Sequence, residues 1–148
     1  MLRSCHQGYA VGSFDETTTY DDEFPAPRLR AEGDCVVVEL FGEIDILAFH
    51  HLAPLFDSLT SGPYRLVVAD LTRTTFIDCS GLRLLVRAAH RARDRDGRVT
   101  VVCHERLTLR LIELGGLTRL LTPVETVEQA VCRDPDAPED RGQPPVAG

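Results

Sequence analysis

The chain contains no lysine; all sixteen of its basic residues are arginine. That removes every mechanism that needs a catalytic or Schiff-base lysine. It also lacks any apolar run near the roughly 20 residues that cross a bilayer, so membrane insertion is not expected. Its first residues, "MLRSCHQGYAVGSF", carry no apolar block of the secretory type, and the expected location is cytoplasmic. No CxxC pair is present. Five dispersed cysteines (Cys5, Cys35, Cys79, Cys103, Cys132) read as free thiols. Cys103-His104 and Cys5-His6 have no second ligand pair at zinc-site spacing, so no metal is expected. Walker, GxGxxG and GxSxG motifs are all missing. His50, His51, His90 and His104 have no spacing that commits them to a nucleophile, so the chain reads as a non-enzyme without a cofactor.

Net charge is -7, and it sits mainly at the ends. Residues 1–25 hold five acids and one arginine, residues 132–148 four acids and two arginines, and residues 26–131 fourteen acids and thirteen arginines. The middle is nearly neutral, which argues against nucleic-acid binding. The 148 residues suit one domain. Residues 1–25 read as a flexible acidic arm and residues 133–148 as a disordered tail rich in Pro and Asp. The domain is expected over residues 26–132.

Within that span, strand and helix patterns alternate. "RLRAEGDCVVVELFG" reads as two strands joined at Gly33-Asp34. A helix follows, with Leu52, Leu55, Phe56 and Leu59 at helical spacing and Pro54 expected to delay, kink or distort it. "YRLVVADL" and "GRVTVVCH" read as strands buried on both faces. Between them lies a helix with Leu82, Leu85, Val86 and Ala89 as its apolar stripe. "ERLTLRLIELGG" reads as a helix closed by Gly115-Gly116. "LTPVETVEQAV" reads as a last helix, with Thr122 as N-cap, Glu125 completing a capping box and Val124, Val127 and Val131 on its buried face. The class is α/β: a small mixed sheet of about four to five strands packed by about four helices.

The segment "DLTRTTFIDCSGLRLLVRAAHRARDRDG" concentrates the polar chemistry. Asp78 suits a helix N-cap, where a carboxylate accepts orphan backbone N–H groups; capping alone accounts for it. Ser80, in the first turn, is equally an ordinary helix-start serine or a phosphorylation site, where added charge would change the surface more than the fold. Cys79 is a small filler, or a thiol made reactive by the helix start.

These residues also carry a family resemblance. "VVVELFGEIDI" resembles the second strand and G-E-[LI]-D signature of the STAS domain family. "LVVADLTRTTFIDCSGLRLL" resembles its strand, loop and D-S-[ST]-G-L motif. "GRVTVVC" and "LIELGGLTRLL" resemble the following strand, third helix and last strand. Within the family the chain resembles the free-standing bacterial anti-sigma factor antagonists. The resemblance implies capture of an anti-sigma factor that is an ATP-dependent serine kinase, release of a sigma factor, and reversal by phosphorylation just after the motif's Asp. It places Gly42, Glu43, Asp45, Asp78, Cys79, Ser80 and Gly81 at or near the contact surface. The usual acceptor position is Cys79 here, and Ser80 is one residue late, about 100° around a helix. Three readings follow: Ser80 substitutes as acceptor, Cys79 makes a constitutive antagonist, or the site is vestigial. Binding without efficient phosphorylation at the usual position is the expectation. The arginine face of the helix (Arg83, Arg87, Arg91, then Arg93 and Arg95) is either solvated or a second contact. The competing functions are a peripheral STAS subunit of a membrane transport complex and a thiol-based sensor or scaffold built on Cys79. Oligomeric state is left open, with weak self-association allowed.

Overall fold

Two apolar runs form the centre of the sheet because both of their faces are covered. The computed structural model describes Arg3–Ser4 and residues 25–132. The expected acidic arm (Arg3–Ser4 and Pro25 apart) and the expected tail 133–148 lie outside the described residues. Strands β1 (Arg3–Ser4), β2 (Arg28–Glu32), β3 (Cys35–Ile44), β4 (Leu66–Ile77) and β5 (Arg98–Val102) lie side by side in chain order. The pairs β1–β2 and β2–β3 are antiparallel, while β3–β4 and β4–β5 are parallel. The sheet is therefore mixed, as expected.

Alternation along the strands sorts the core in two. Val36, Val38 and Leu40 of β3 and Val67, Ala69 and Leu71 of β4 face the larger cluster. Cys35, Val37, Leu66 and Val68 face a smaller one, closed by Val102 and Ala130. The period of two is hidden in the sequence because apolar residues occupy both phases.

The larger cluster is covered by helices α1 (Ile46–Ser61) and α2 (Cys79–Arg93). Pro54 does not delay α1: the helix starts directly after Asp45 and is assigned as helix through Ser61. An interior proline costs about 3 kcal/mol. Around it α1 buries Leu52, Leu55, Phe56 and Leu59, each contributing about 1.5–3 kcal/mol, so burial outweighs the lost bond. Pro54 and His50, the residue whose carbonyl loses its donor, are both exposed, where water replaces it. In α2 the buried stripe is Gly81, Leu84, Leu85, Ala88, Ala89 and Ala92. That corrects the expected one: Leu82 and Val86 lie at its margin, and Leu84 and Ala88 at its centre.

After β5 come α3 (Arg106–Leu114), α4 (Thr118–Leu121) and α5 (Val127–Cys132). Gly116 closes α3 at φ +71°, in the left-handed conformation expected there. "LTRLL" is helix α4, not a last strand: Leu117 and Leu121 fall at i, i+4, and Leu121 is buried in the core. Among the described residues only Val124 reaches the outer edge of β5, in an isolated parallel bridge to Val102, and the adjacent Pro123 has no N–H to extend it. The expected cap at Thr122 is also displaced. Thr122 closes α4 at φ +39°, and its hydroxyl lies 3.1 Å from that of Thr100. The capping box is Thr126 with Gln129: Thr126 Oγ1 accepts from Gln129 N at 3.1 Å. Gln129 Oε1 accepts from Glu125 N at 2.8 Å and Thr126 N at 3.3 Å. Val124, Val127 and Val131 pack on the smaller cluster, as expected.

Candidate functional site

Two parallel strands end together, and each launches a helix. Ile44 closes β3 in register with Ile77, which closes β4. The next residue in each case is an aspartate that caps the helix. Asp45 Oδ1 accepts from Ala48 N at 3.1 Å. Asp78 Oδ1 accepts from Ser80 N at 2.8 Å and Gly81 N at 3.1 Å. The two caps share nearly one backbone conformation, φ -113° and ψ -160° at Asp45 against φ -112° and ψ -167° at Asp78. Asp78 N donates to Ile44 O at 3.3 Å, which ties the second cap to the strand that leads into the first. Each carboxylate satisfies orphan donors at the positive end of its helix.

The approach to this edge is irregular on purpose of geometry. β3 shifts register between Glu39 and Phe41 and again between Gly42 and Glu43. Gly42 has φ +77°, and a Cβ there would meet Pro25 Cγ at 3.2 Å. Glycine meets both conditions without strain, so the first signature turns the chain with Gly42, exposes Glu43 and caps with Asp45. The second half of β4 was expected as a loop. It remains strand because Arg73, Thr74 and Phe76 pair with Phe41, Gly42 and Glu43. β5 ends opposite Asp70, so this half has one neighbour and most of its side chains are exposed.

Gly81 sits where the first turn of α2 presses on both strand ends. A Cβ there would lie 2.5 Å from Ile44 O and 2.5 Å from Ile77 Cγ1. Gly81, expected at or near the contact surface, is buried and lets the helix seat closely. Cys79 is exposed and Ser80 half-buried.

The arginine face is engaged within the fold. Arg87 grips Asp57 of α1 with two bonds, Nε to Oδ1 at 3.1 Å and Nη2 to Oδ2 at 2.8 Å. Arg91 adds Nε to Asp57 Oδ1 at 3.2 Å and Nη2 to Ser61 Oγ at 3.0 Å. Arg83 lies over the Phe49 ring at 5.7 Å, and Arg93 donates to Arg119 O at 3.2 Å. These cations clasp α2 to α1 and α4. The Arg87 hydrogen bond, against a smaller opposing effect of burial, holds the Asp57 carboxyl below its usual range.

Three apolar residues of this edge lie just outside the G-E-[LI]-D and D-S-[ST]-G-L signatures. Ile46 and Leu47, in the first turn of α1, are 52 % and 51 % exposed, and Phe76, paired with Glu43, is 50 % exposed. The readable signal was phase. The buried series of α1 runs through Ala48, Leu52, Leu55 and Phe56, which leaves Ile46 and Leu47 facing outward. The edge thus presents apolar side chains, the exposed Cys79 and Glu43, and two capping carboxylates.

The other thiols of the core are quiet. Burial pushes Cys35 up to about 11 and also raises Cys103. Among the described residues no group of three or more His, Cys, Asp or Glu could hold a metal. No helix of the described residues is long and apolar enough to cross a membrane.

Comparison with known proteins fits this architecture. The STAS domain family model matches residues 26–130. A Mycobacterium tuberculosis protein named putative anti-anti-sigma factor Rv2638 is 32% identical over 114 residues, covering 72% of this chain and 76% of its own. An anti-sigma factor antagonist from Mycobacterium paratuberculosis superposes with TM-score 0.65 at 24% identity, covering 72% of this chain and 90% of its own. The unphosphorylated anti-sigma factor antagonist SpoIIAA gives TM-score 0.62 at 22% identity, covering 72% and 93%. At that identity the two structures bear on the fold alone. The strand order, the paired helix starts and the match over residues 26–130 agree, and the chain belongs to the STAS domain family.

Proposed function

We propose that this protein is an anti-sigma factor antagonist that captures a kinase-type anti-sigma factor and so frees a sigma factor for transcription. The capture surface is the edge where α1 and α2 start. One observation carries this assignment: Ile46, Leu47 and Phe76 stand exposed at the same strand ends that bear Glu43, Asp45, Asp78 and Cys79. Exposed apolar side chains beside polar groups are what a protein-binding patch offers. Similarity to proteins named as antagonists supports the kind of partner.

The regulatory step follows from residue chemistry. Cys79 holds the position at which the family is phosphorylated, and a serine kinase does not form a stable phosphoester on a thiol in the ordinary way. Ser80 is half-buried and turned about 100° from Cys79. The protein therefore binds without being released by phosphorylation at the usual place. Arg83 borders the patch, whereas Arg87 serves the helix clasp.

Isothermal titration of the full chain with the anti-sigma kinase encoded nearest in its genome tests the surface. A one-to-one complex is expected, and Phe76→Asp is expected to weaken it at least about tenfold, as loss of a central aromatic anchor does. Equal affinity of the Phe76→Asp protein would remove this edge from the interface.

A further inference from the structure

Helix α3 turns an apolar stripe toward solvent. Leu107 is 61 % exposed and Leu114 71 % exposed, and Leu111, one turn from each, is half-buried. The three fall at i, i+4 and i+7, one face of a helix. The core contacts of α3 lie on the other side, through buried Thr108 and Ile112 and partly buried Leu109. Single exposed leucines are ordinary, but a stripe of three on a nine-residue helix is a surface. None of the residues of the capture edge belongs to it.

The charges beside the stripe select an occupant. At 100° per residue, Arg106, Arg110 and Glu113 fall along one flank of the leucines, and all three are exposed. Two copies of α3 packed antiparallel about a two-fold axis bring this flank against itself. Leu107 then lies opposite the second copy's Leu114. Glu113 falls between the positions of Arg106 and Arg110 on the second copy, about 3 Å along the axis from each. The same pairing repeats reciprocally, as a two-fold interface requires. A membrane surface would use the arginines but leave Glu113 facing lipid headgroups. We infer that α3 is a self-association surface, with a second copy of this chain as its occupant.

The helix is short, about 13 Å long, and well below the size that buries roughly 800 Å² a side in a stable complex. The dimer is accordingly weak and concentration-dependent. It is read by sedimentation equilibrium of the full chain from about 1 µM to several hundred µM, across the range where small interfaces associate. The apparent mass is expected to rise from monomer toward dimer. The Leu107→Lys/Leu114→Lys protein is expected to stay monomeric, because each lysine meets another across the axis. Both positions are exposed, so its thermal midpoint should match the parent and show that the fold is intact. Glu113→Arg is expected to weaken association at least about threefold, the size of a modest ion-pair loss. A monomer at every concentration overturns the inference, as does a dimer indifferent to the lysine pair. A parent chain that stays monomeric but sediments with anionic phosphatidylglycerol vesicles, where the Lys variant does not, would reassign the face to lipid and equally overturn it.

Discussion

Gly81 shows how much of the site rests on a single missing methyl. Alanine is favoured over glycine inside a helix by about 0.8–1.0 kcal/mol, so propensity alone predicts that Gly81→Ala stabilises. Geometry reverses the sign. The new Cβ would fall 2.5 Å from the backbone oxygen of Ile44, which cannot swing away as a side chain could. Overpacking of this kind costs typically about 1–3 kcal/mol. Gly81→Ala should lower the urea midpoint and tilt α2 off the strand ends. An unchanged or higher midpoint would show that the close seat is not needed. Cys79, two residues earlier, is constrained by nothing of the kind; it is exposed, and the fold accepts serine or cysteine there. What distinguishes this chain at that position is chemistry at the surface, with no demand from packing.

At the level of elements, the clasp between α1 and α2 fixes the relative pose of the two capped helix starts. Asp57 is gripped by Arg87 at 2.8 Å and Arg91 at 3.2 Å. The pair is partly exposed, with side-chain accessibility 47% at Arg87 and 29% at Asp57, so solvent screening keeps its contribution to stability small. Its pH dependence has a definite sign. The folded pKa of Asp57 is lowered by the Arg87 hydrogen bond. The stabilisation is present above the ordinary carboxylate value and is lost as pH falls through the lowered one. Asp57→Asn should therefore be less stable than the parent at neutral pH, and the gap should close in acid, as pH falls below the lowered value. Denaturant midpoints of both proteins at the two pH values measure this; a gap that persists in acid would place the effect in packing. The arginines of this clasp were visible in the sequence as an exposed charged face. Their partner was not, because Asp57 lies thirty residues away on another helix and no local pattern links the two.

For the whole molecule, the α/β alternation and the two double-buried strands were legible because long apolar runs bounded by turns have few other interpretations. The signature at Asp78–Gly81 was legible as a helix start, whereas Gly42–Asp45 was legible only through the family resemblance, and the cap at Asp45 came from the structure. Three things were not. The outer half of β4 has one neighbour, so its polar side chains read as loop. Thr122 and Pro123 offer good start signals for a helix, yet Thr122 ends α4, and the later box at Thr126 and Gln129 wins. Ile46, Leu47 and Phe76 are apolar residues that the fold leaves outside, and composition counts them as core. Those three complete the proposed capture edge, with two strand ends, two helix starts and a thiol where the family resemblance puts the phosphorylated residue. We propose that this edge captures a kinase-type anti-sigma factor and that Cys79 keeps the capture from being undone. Native mass spectrometry of the full chain with that kinase, with and without Mg-ATP, tests both halves, run beside the Cys79→Ser protein. The expected result is a complex that persists in ATP with no phosphate added to the parent, while Cys79→Ser gains one phosphate and dissociates. No complex with any kinase-type anti-sigma factor of its genome, or a parent chain phosphorylated and released like Cys79→Ser, would contradict it.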